Sequence, residues 1–443
     1  MTASAPEEPR RVWSRRERPP WGQLGPVPWL SWPETRAVVD ALQAEGSTVR
    51  FVGGCVRDAL LGVMPRDIDL ATPDPPDTVI HLLEQAGLRC IPTGLQHGTV
   101  TARVGDHSFE ITTLREDVET DGRHAVVKWS SCWMADAARR DFTINALSAT
   151  PDGAVYDYFD GLEHLSHGRV VFVGRPMQRI AEDWLRILRF FRFYARFGRP
   201  PASAGALSAC QALAPHLKEL SAERIRDELI GILETPACTD VLLLMRGARV
   251  LEQVLPEAGA FGRLRQLVFL ETRGLVMDGV EPDPVRRLAA VLHTDPHTAM
   301  QVARCLRLSS HQIQRLSVLS DTTPCPDPDG GEPILLQALF RLGRKTVVDM
   351  ILLVWSSERD GEHRLCPRRS ASWQRALDLA LSLPVPSFPL KGRDLLANGY
   401  RSGPLLGQEL ARLQGEWLHS GCRLDRAALL SSLRPPSPDP EAG

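Results

Sequence analysis

The chain has 443 residues, enough for two or three domains with buried cores, and its 43 % hydrophobic and 24 % charged content is ordinary for a globular protein. A formal net charge of −2 does not announce a nucleic-acid binder, although a local basic surface can act where net charge is silent. No run of about 18 apolar residues occurs, so no membrane span is expected. The nine scattered cysteines form no CxxC pair, which excludes a zinc ribbon or disulfide framework and points to a reducing cytoplasm.

Residues 1–31, rich in Pro and Trp, read as a poorly ordered arm; Glu7, Glu8 and Glu17 disfavour a mitochondrial transit peptide. A helix is expected from Pro33-Glu34 to about Gly46. Then comes Phe51–Leu70, FVGGCVRDALLGVMPRDIDL, which reads as strand, turn, helix, turn, strand. Gly53 and Gly54 supply backbone that can approach a phosphate, the helix start offers free N–H groups, and Arg57 can add a bidentate contact. In Asp67-Ile68-Asp69-Leu70 the period-two alternation puts both carboxylates on one side of a strand. Two adjacent carboxylates repel unless a cation lies between them, and Mg²⁺ favours such ligands together with substrate phosphates. An Asp-x-Asp alone is common on loops; a phosphate cradle a few residues before it suggests nucleotidyl transfer.

A helix over 76–86 and a β-hairpin of Thr99–Val104 and His107–Leu114 are expected next. Glu110, read alone, is a solvent-facing residue alternating with Phe109 and Ile111. Arg115–Trp129 is polar, lacks clear periodicity and reads as a mobile loop. In DAARRDFTINALSA, residues 136–149, the charged Arg139, Arg140 and Asp141 abut an apolar element. Arg179–Gly198, RIAEDWLRILRFFRFYARFG, carries the strongest helical pattern, with Leu185, Leu188, Phe191 and Ala195 as its apolar stripe. Asp183, Arg186, Arg189 and Arg192 step by three along it, so they spiral as neighbouring pairs. Beyond residue 200 the pattern is almost all helical, with stretches at 239–255, 284–293, 297–307, 309–319 and 333–357, a loop near 326–331 and a disordered end at 434–443.

Together these stretches resemble the GGxVRD, DxD, RRDFTxNA and EDxxRxxR motifs of the class II, bacterial-type CCA tRNA nucleotidyltransferase and poly(A) polymerase family, over about residues 50–200. Leu390–Leu410 is more loosely similar to the family's tail, where Arg393, Arg401 and Arg412 are candidates for tRNA phosphates. The resemblance implies an α/β head with a small mixed sheet, followed by an all-helical neck, body and tail. The expected divisions are an arm at 1–31, the head at 32–165, a base-recognising neck at 166–255, a body at 256–360 and a tRNA-binding tail at 361–443.

It also implies the chemistry. Asp67 and Asp69 would hold two Mg²⁺ ions, one activating the tRNA 3′-hydroxyl and the other neutralising the triphosphate, with Glu110 as third carboxylate assisting the first. Gly53, Gly54 and Arg57 would serve the nucleotide, Arg140 its phosphates and Asp141 its ribose. Asp183 would accept from the exocyclic amino group of C or A while Arg186 donates to ring acceptors; uracil and guanine would turn a carbonyl oxygen toward the carboxylate and be repelled. Arg189 and Arg192 would extend contacts to the nucleotide or hold Asp183, and the 115–129 loop would help the site pass from CTP to ATP. The expected activity is template-independent addition of CCA to tRNA from CTP and ATP. Poly(A) polymerase, disfavoured by the lack of a basic GRRF-type segment, a CC- or A-only enzyme, and a non-catalytic RNA-binding protein stay open. His293, His297 and His311 include no adjacent His-Asp pair, so no attached phosphohydrolase domain is indicated.

Overall fold

In a computed structural model of the chain, residues 19–120, 125–274, 279–361 and 366–434 are described. They fall into two compact units, 1–254 and 255–443. In the first unit the strands are β1 (Gly22–Gln23), β2 (Arg50–Val52), β3 (Ile68–Thr72), β4 (Arg89–Gly94), β5 (Thr99–Val104), β6 (His107–Thr113), β7 (Arg115–Thr120), β8 (Ala125–Trp129), β9 (Ser148–Ala149) and β10 (Ala154–Tyr156). The helices are α1 (Pro33–Gln43), α2 (Gly54–Leu60), α3 (Pro76–Gln85), α4 (Trp133–Ala138), α5 (Gly161–Ser166), α6 (Pro176–Glu182), α7 (Leu185–Phe197), α8 (Ala204–Leu213) and α9 (Ala222–Leu233), before Cys238–Gly247 and Leu251–Val254.

Eight strands form one mixed sheet in the order β1-β10-β9-β2-β3-β6-β5-β4. Within it β3 and β6 run parallel while the other neighbours are antiparallel. The short α2 between β2 and β3 allows the tight GGxVRD excursion, and the longer α3 and the β4–β5 hairpin return the chain to lay β6 beside β3. One sheet face packs Phe51, Leu70, Phe109 and Ile111 against Val38, Leu42 and Leu83, with Trp29 fully buried and edge-on to Phe51 at 4.9 Å. Alternation turns the residues between those anchors to the other face.

Three expectations change here. The arm is shorter than residues 1–31: β1 joins the sheet through β10 and Trp29 enters the core, while residues 1–18 lie outside the described residues. Arg115–Trp129 is an antiparallel pair, β7 with β8, connected through 121–124, which are outside the described residues. The Ala125–Trp129 run, AVVKW, has the β-branched and aromatic content of a strand, and the polar first half hid it. The long helix over 179–198 is two helices, broken at Asp183-Trp184.

An aromatic core ties the RRDF stretch to α7. Phe142 packs on Phe172 at 4.9 Å and Phe193 at 5.2 Å, and Phe172 stacks on Phe190 at 5.8 Å. A bridge pairs Phe142 with Phe172, so backbone and side chains agree on this register.

Among the described residues of the second unit no strand occurs; its helices run from Phe261–Phe269 to Arg426–Ser431. The expected 239–255 and 333–357 stretches are each split, the latter at Gly343, and Phe261–Phe269 and Pro367–Ser382 were not foreseen. A buried ionic network holds it: Glu271 accepts from Arg286 and Arg287, and Asp349 from Arg286 and Arg315. Arg412, expected on tRNA phosphates, is ion-paired with Glu409 and Glu416. The expected disorder of 434–443 falls outside the described residues apart from Arg434, whose N–H bonds Glu409.

Phe190 is fully buried among four aromatic neighbours, so Phe190→Ala should cost about 3–5 kcal/mol in urea unfolding of the whole chain. A cost below about 1 kcal/mol would mean that this cluster does not join the RRDF stretch to α7.

Candidate active site

The carboxylates come first. β3 begins at Ile68, so Asp69 lies on the strand, half-buried between buried Ile68 and Leu70, and Asp67 is exposed on the bend just before it. In the parallel ladder Asp69 is directly opposite Glu110 of β6, and both point away from the Phe51–Phe109 core. Neighbouring strands are roughly 4.8 Å apart, which keeps two carboxylates within strong repulsion. Burial, then the charge of Glu110 and to a lesser degree that of Asp67, push the Asp69 carboxyl up to about 6, against the pull of Arg140.

Among the described residues no three His, Cys, Asp or Glu side chains close on one point as a finished metal cage. The donor set nevertheless fits a hard divalent ion. It is all carboxylate oxygen, its mutual repulsion favours a cation, and Mg²⁺ normally takes its remaining ligands from substrate phosphates and water.

The glycine turn lies beside this pair. Gly53 has φ +73°, a conformation that disfavours side chains, and a Cβ built there would come within 2.8 Å of an Arg140 Nη. Gly53 N–H donates to the Leu147 carbonyl at 3.0 Å, which fixes the turn on β9's approach. Arg140 is held by Asp136 at 3.3 Å, and Arg139 binds the same carboxylate at 2.7 Å. Arg57 is placed differently from the expectation. Its guanidinium is buried, donates to Asp58 and Asn145, and lies over Phe197 at 4.3 Å, so it fastens α2 rather than facing a phosphate.

Asp141 joins this half to the helices. Its Oδ1 accepts from Phe142 N–H at 2.8 Å and Asn145 Nδ2 at 3.0 Å, and its Oδ2 from Arg189 Nε at 2.8 Å and Nη2 at 2.6 Å. Burial works to raise this carboxyl, but Arg189, Asn145 and the Phe142 N–H outweigh it and hold it below the usual carboxylate range. Burial likewise works against the charge of Arg189, and Asp141 and Glu228 overcome it.

The break between α6 and α7 frees Asp183 from the helix. Its Oδ1 accepts from Leu185 N–H at 3.1 Å, as a turn cap does, and Oδ2 accepts from Arg224 Nη2 at 2.8 Å. Each oxygen keeps a lone pair for another donor. Arg186 donates to Glu182 at 2.5 Å and to the Arg179 carbonyl at 2.7 Å, not to Asp183. Arg192 binds Glu228 at 2.5 Å, and Gly231 lets α9 approach closely, since a Cβ there would meet Arg192 Cδ at 2.6 Å.

Sequence reasoning therefore brought the DxD, RRD and ED stretches together but missed the residues that hold them: Asp136, Asn145, Arg179, Glu182, Arg224 and Glu228. Arg179 grips the carbonyls of Arg139 and Arg140, anchoring α6 to the RRD segment. A signal existed for two of them, because Arg224 and Glu228 are four apart on α9 and so share a face.

A mixed sheet with a carboxylate pair beside a glycine turn, followed by helices, defines the class: a nucleotidyltransferase-fold head with a helical extension. Residues 49–171 match the poly A polymerase head domain, and 205–261 the probable RNA and SrmB-binding site of polymerase A. The chain is 34 % identical over 404 residues, 90 % of its length and 89 % of the relative's, to human mitochondrial CCA tRNA nucleotidyltransferase 1. It is 29 % identical to the CCA-adding enzyme of Levilactobacillus brevis, over 90 % of this chain and 96 % of the other. The Bacillus stearothermophilus CCA-adding enzyme solved with CTP superposes at TM-score 0.67 and 22 % identity, covering 87 % of this chain and 92 % of that one. The Thermotoga maritima enzyme complexed with tRNA gives 0.60 and 20 %, covering 90 % and 94 %. At that identity the superpositions show the fold.

The chain belongs to the CCA tRNA nucleotidyltransferase family, a nucleotidyltransferase lineage that uses divalent metal.

The raised Asp69 carboxyl has a measurable sign. Its folded value, about 6, exceeds the unfolded 3.8, so its contribution to stability is full below about pH 4 and is lost as pH rises through about 6. Without divalent metal, Asp69→Asn should be more stable than the native chain at pH 7, by about 1–3 kcal/mol, and show little advantage at pH 4. Urea unfolding at both pH values checks this; an equal offset at both would contradict it.

Proposed function

We propose that this chain adds C, C and A to the 3′ ends of tRNA from CTP and ATP, releasing pyrophosphate at each step. The observation that carries the reading is the Asp141–Arg189 ion pair, which ties the RRD stretch, whose Arg140 acts on Asp69, to the helix that follows the Asp183 turn. Whole-length similarity to curated CCA-adding relatives supports it.

Asp67 and Asp69 are the proposed ligands of Mg²⁺, with Glu110 alongside. When bound, the ion supplies Lewis acidity to the attacking hydroxyl and neutralises triphosphate charge. The chain's own groups do the rest. The Glu110 carboxylate is the proposed acceptor of the tRNA 3′-hydroxyl proton; the hydroxyl oxygen bonds the α-phosphorus as the bond from the α-phosphorus to the bridging oxygen breaks and pyrophosphate leaves. Gly53 and Gly54 let the triphosphate approach the backbone, and Arg140 neutralises it. Asp141 is the proposed ribose partner; its four acceptor positions are filled by Phe142 N–H, Asn145 and Arg189, so a ribose hydroxyl binds it by displacing one of those donors. Asp183 accepts from the amino group of cytosine or adenine and repels the carbonyl oxygen of uracil or guanine. Arg186 reads ring acceptors once it leaves Glu182, and Arg192 supports α7 through Glu228. Arg57 acts by fastening α2. We assign the neck region, 166–255, to base recognition and the tail, 361–443, to tRNA. The cytoplasm is the proposed compartment, in keeping with free thiols at buried Cys55 and Cys210.

An extension assay on tRNA lacking its 3′ end tests this. With Mg²⁺, CTP alone should add two residues and ATP a third only when both nucleotides are present. Asp67→Ala should reduce the rate on the order of a thousandfold or more. A long A-tail on any RNA would indicate a poly(A) polymerase, arrest at CC a partial enzyme, and no incorporation by folded protein a binding module.

A further inference from the structure

We infer that His216 is a positioning residue for Asp183, acting through Trp184, and that it sets how sharply the site separates cytosine from uracil. The inference rests on the reading of Asp183 as the group that meets the base's amino position.

Asp183 lies at the one point where α6 and α7 are discontinuous. Its backbone is extended, φ −157° and ψ 109°, and Trp184 turns the chain into α7. A carboxylate at such a joint can swing with the backbone unless both of its sides are held. Arg224 of α9 holds Oδ2, and the Leu185 N–H holds Oδ1, a donor whose place depends on Trp184 between them. Trp184 is itself held from outside: its indole lies flat on the His216 imidazole, ring centroids 4.3 Å apart and planes 13° from parallel.

His216 comes from a separate element, the short 3-10 helix Ala214–Glu219, which is fixed by fully buried Ala214 and Leu217. Its Nδ1 is 2.7 Å from Glu219 Oε1, a bond that requires the proton on Nδ1 and sets the ring's orientation. The imidazole side chain is 43 % exposed. Removing it opens little cavity, so core packing does not account for the stack. The stack instead restrains the one residue between Asp183 and buried Leu185. Discrimination by a carboxylate facing either an amino group or a carbonyl oxygen needs that orientation held to well under an ångström.

The experiment uses the full chain and a tRNA transcript ending before CCA, and measures kcat/KM for the first addition with CTP and with UTP. His216→Ala should lower the CTP-over-UTP ratio roughly three- to tenfold, the range an aromatic pair supports. His216→Phe, which keeps a ring on the indole, should recover most of the ratio. Asp183→Asn is run beside them and should lower the ratio further. If Asp183→Asn lowers it and His216→Ala does not, the positioning role is overturned while the reading of Asp183 stands. If Asp183→Asn leaves the ratio unchanged, Asp183 does not read the base and the inference falls with that reading. Equal loss with both nucleotides in His216→Ala, tracking a fall in Tm, would mark a merely structural residue and also overturn it.

Discussion

The rest of the site depends on a partly buried ion pair between two stretches 48 residues apart, the buried Asp141 and the half-buried Arg189. Removing either charge from water is costly, and a pair of this kind is tolerable only when geometry and further hydrogen bonds are good. Here Asn145 and the Phe142 N–H complete the carboxylate, and Glu228 adds a second negative charge beside the guanidinium. The aromatic cluster of Phe142, Phe172, Phe190 and Phe193 packs the RRDF stretch on α7 beside the pair, with the Arg189 guanidinium 5.4 Å from the Phe193 ring. Because Asp141 adjoins Arg140, and Arg189 is two turns along from Asp183, this contact spaces the triphosphate end from the base end of the proposed nucleotide pocket.

A second constraint works in the opposite direction. Asp69 and Glu110 are paired across β3 and β6 although their charges repel, and the same sheet buries Leu70 and Ile111 immediately behind them. The apolar face locks the register, since a one-residue slip would bury both carboxylates. Folding energy from the Phe51–Phe109 face thus holds together a charge cluster that would otherwise disperse. Such a cluster is poised for a divalent cation, and Arg140 offsets part of the repulsion from the glycine-turn side.

Part of this was legible in the residues: period-two alternation gave the β6 strand and the Gly53-Gly54 pair gave the turn. The site roles of Glu110 and of the stepped Asp183, Arg186, Arg189 and Arg192 came only with the family resemblance, since the residues alone read as a solvent-facing carboxylate and a charged spiral. What could not be read is which partner each charge chooses. Arg57 pairs with Asp58 and Asn145, and Arg186 with Glu182, because tertiary contacts select among several nearby carboxylates and local spacing does not. The break at Asp183 was hidden because Glu182, Trp184 and Leu185 are all compatible with a continuous helix. Contacts from Arg224 and from His216 on Trp184 accompany the break, and neither partner is near in sequence. The β7–β8 pair was missed because only its second strand carries strand-forming residues.

The central claim is that Asp141 and Arg189 act as one joint. A double-mutant cycle of Asp141→Asn and Arg189→Met, read in kcat/KM for CTP addition to tRNA, measures it directly. The expected result is a coupling of about 2 kcal/mol or more, the double variant being little worse than either single one. Effects that add to within about 0.5 kcal/mol would show that the two residues act independently and would contradict the account.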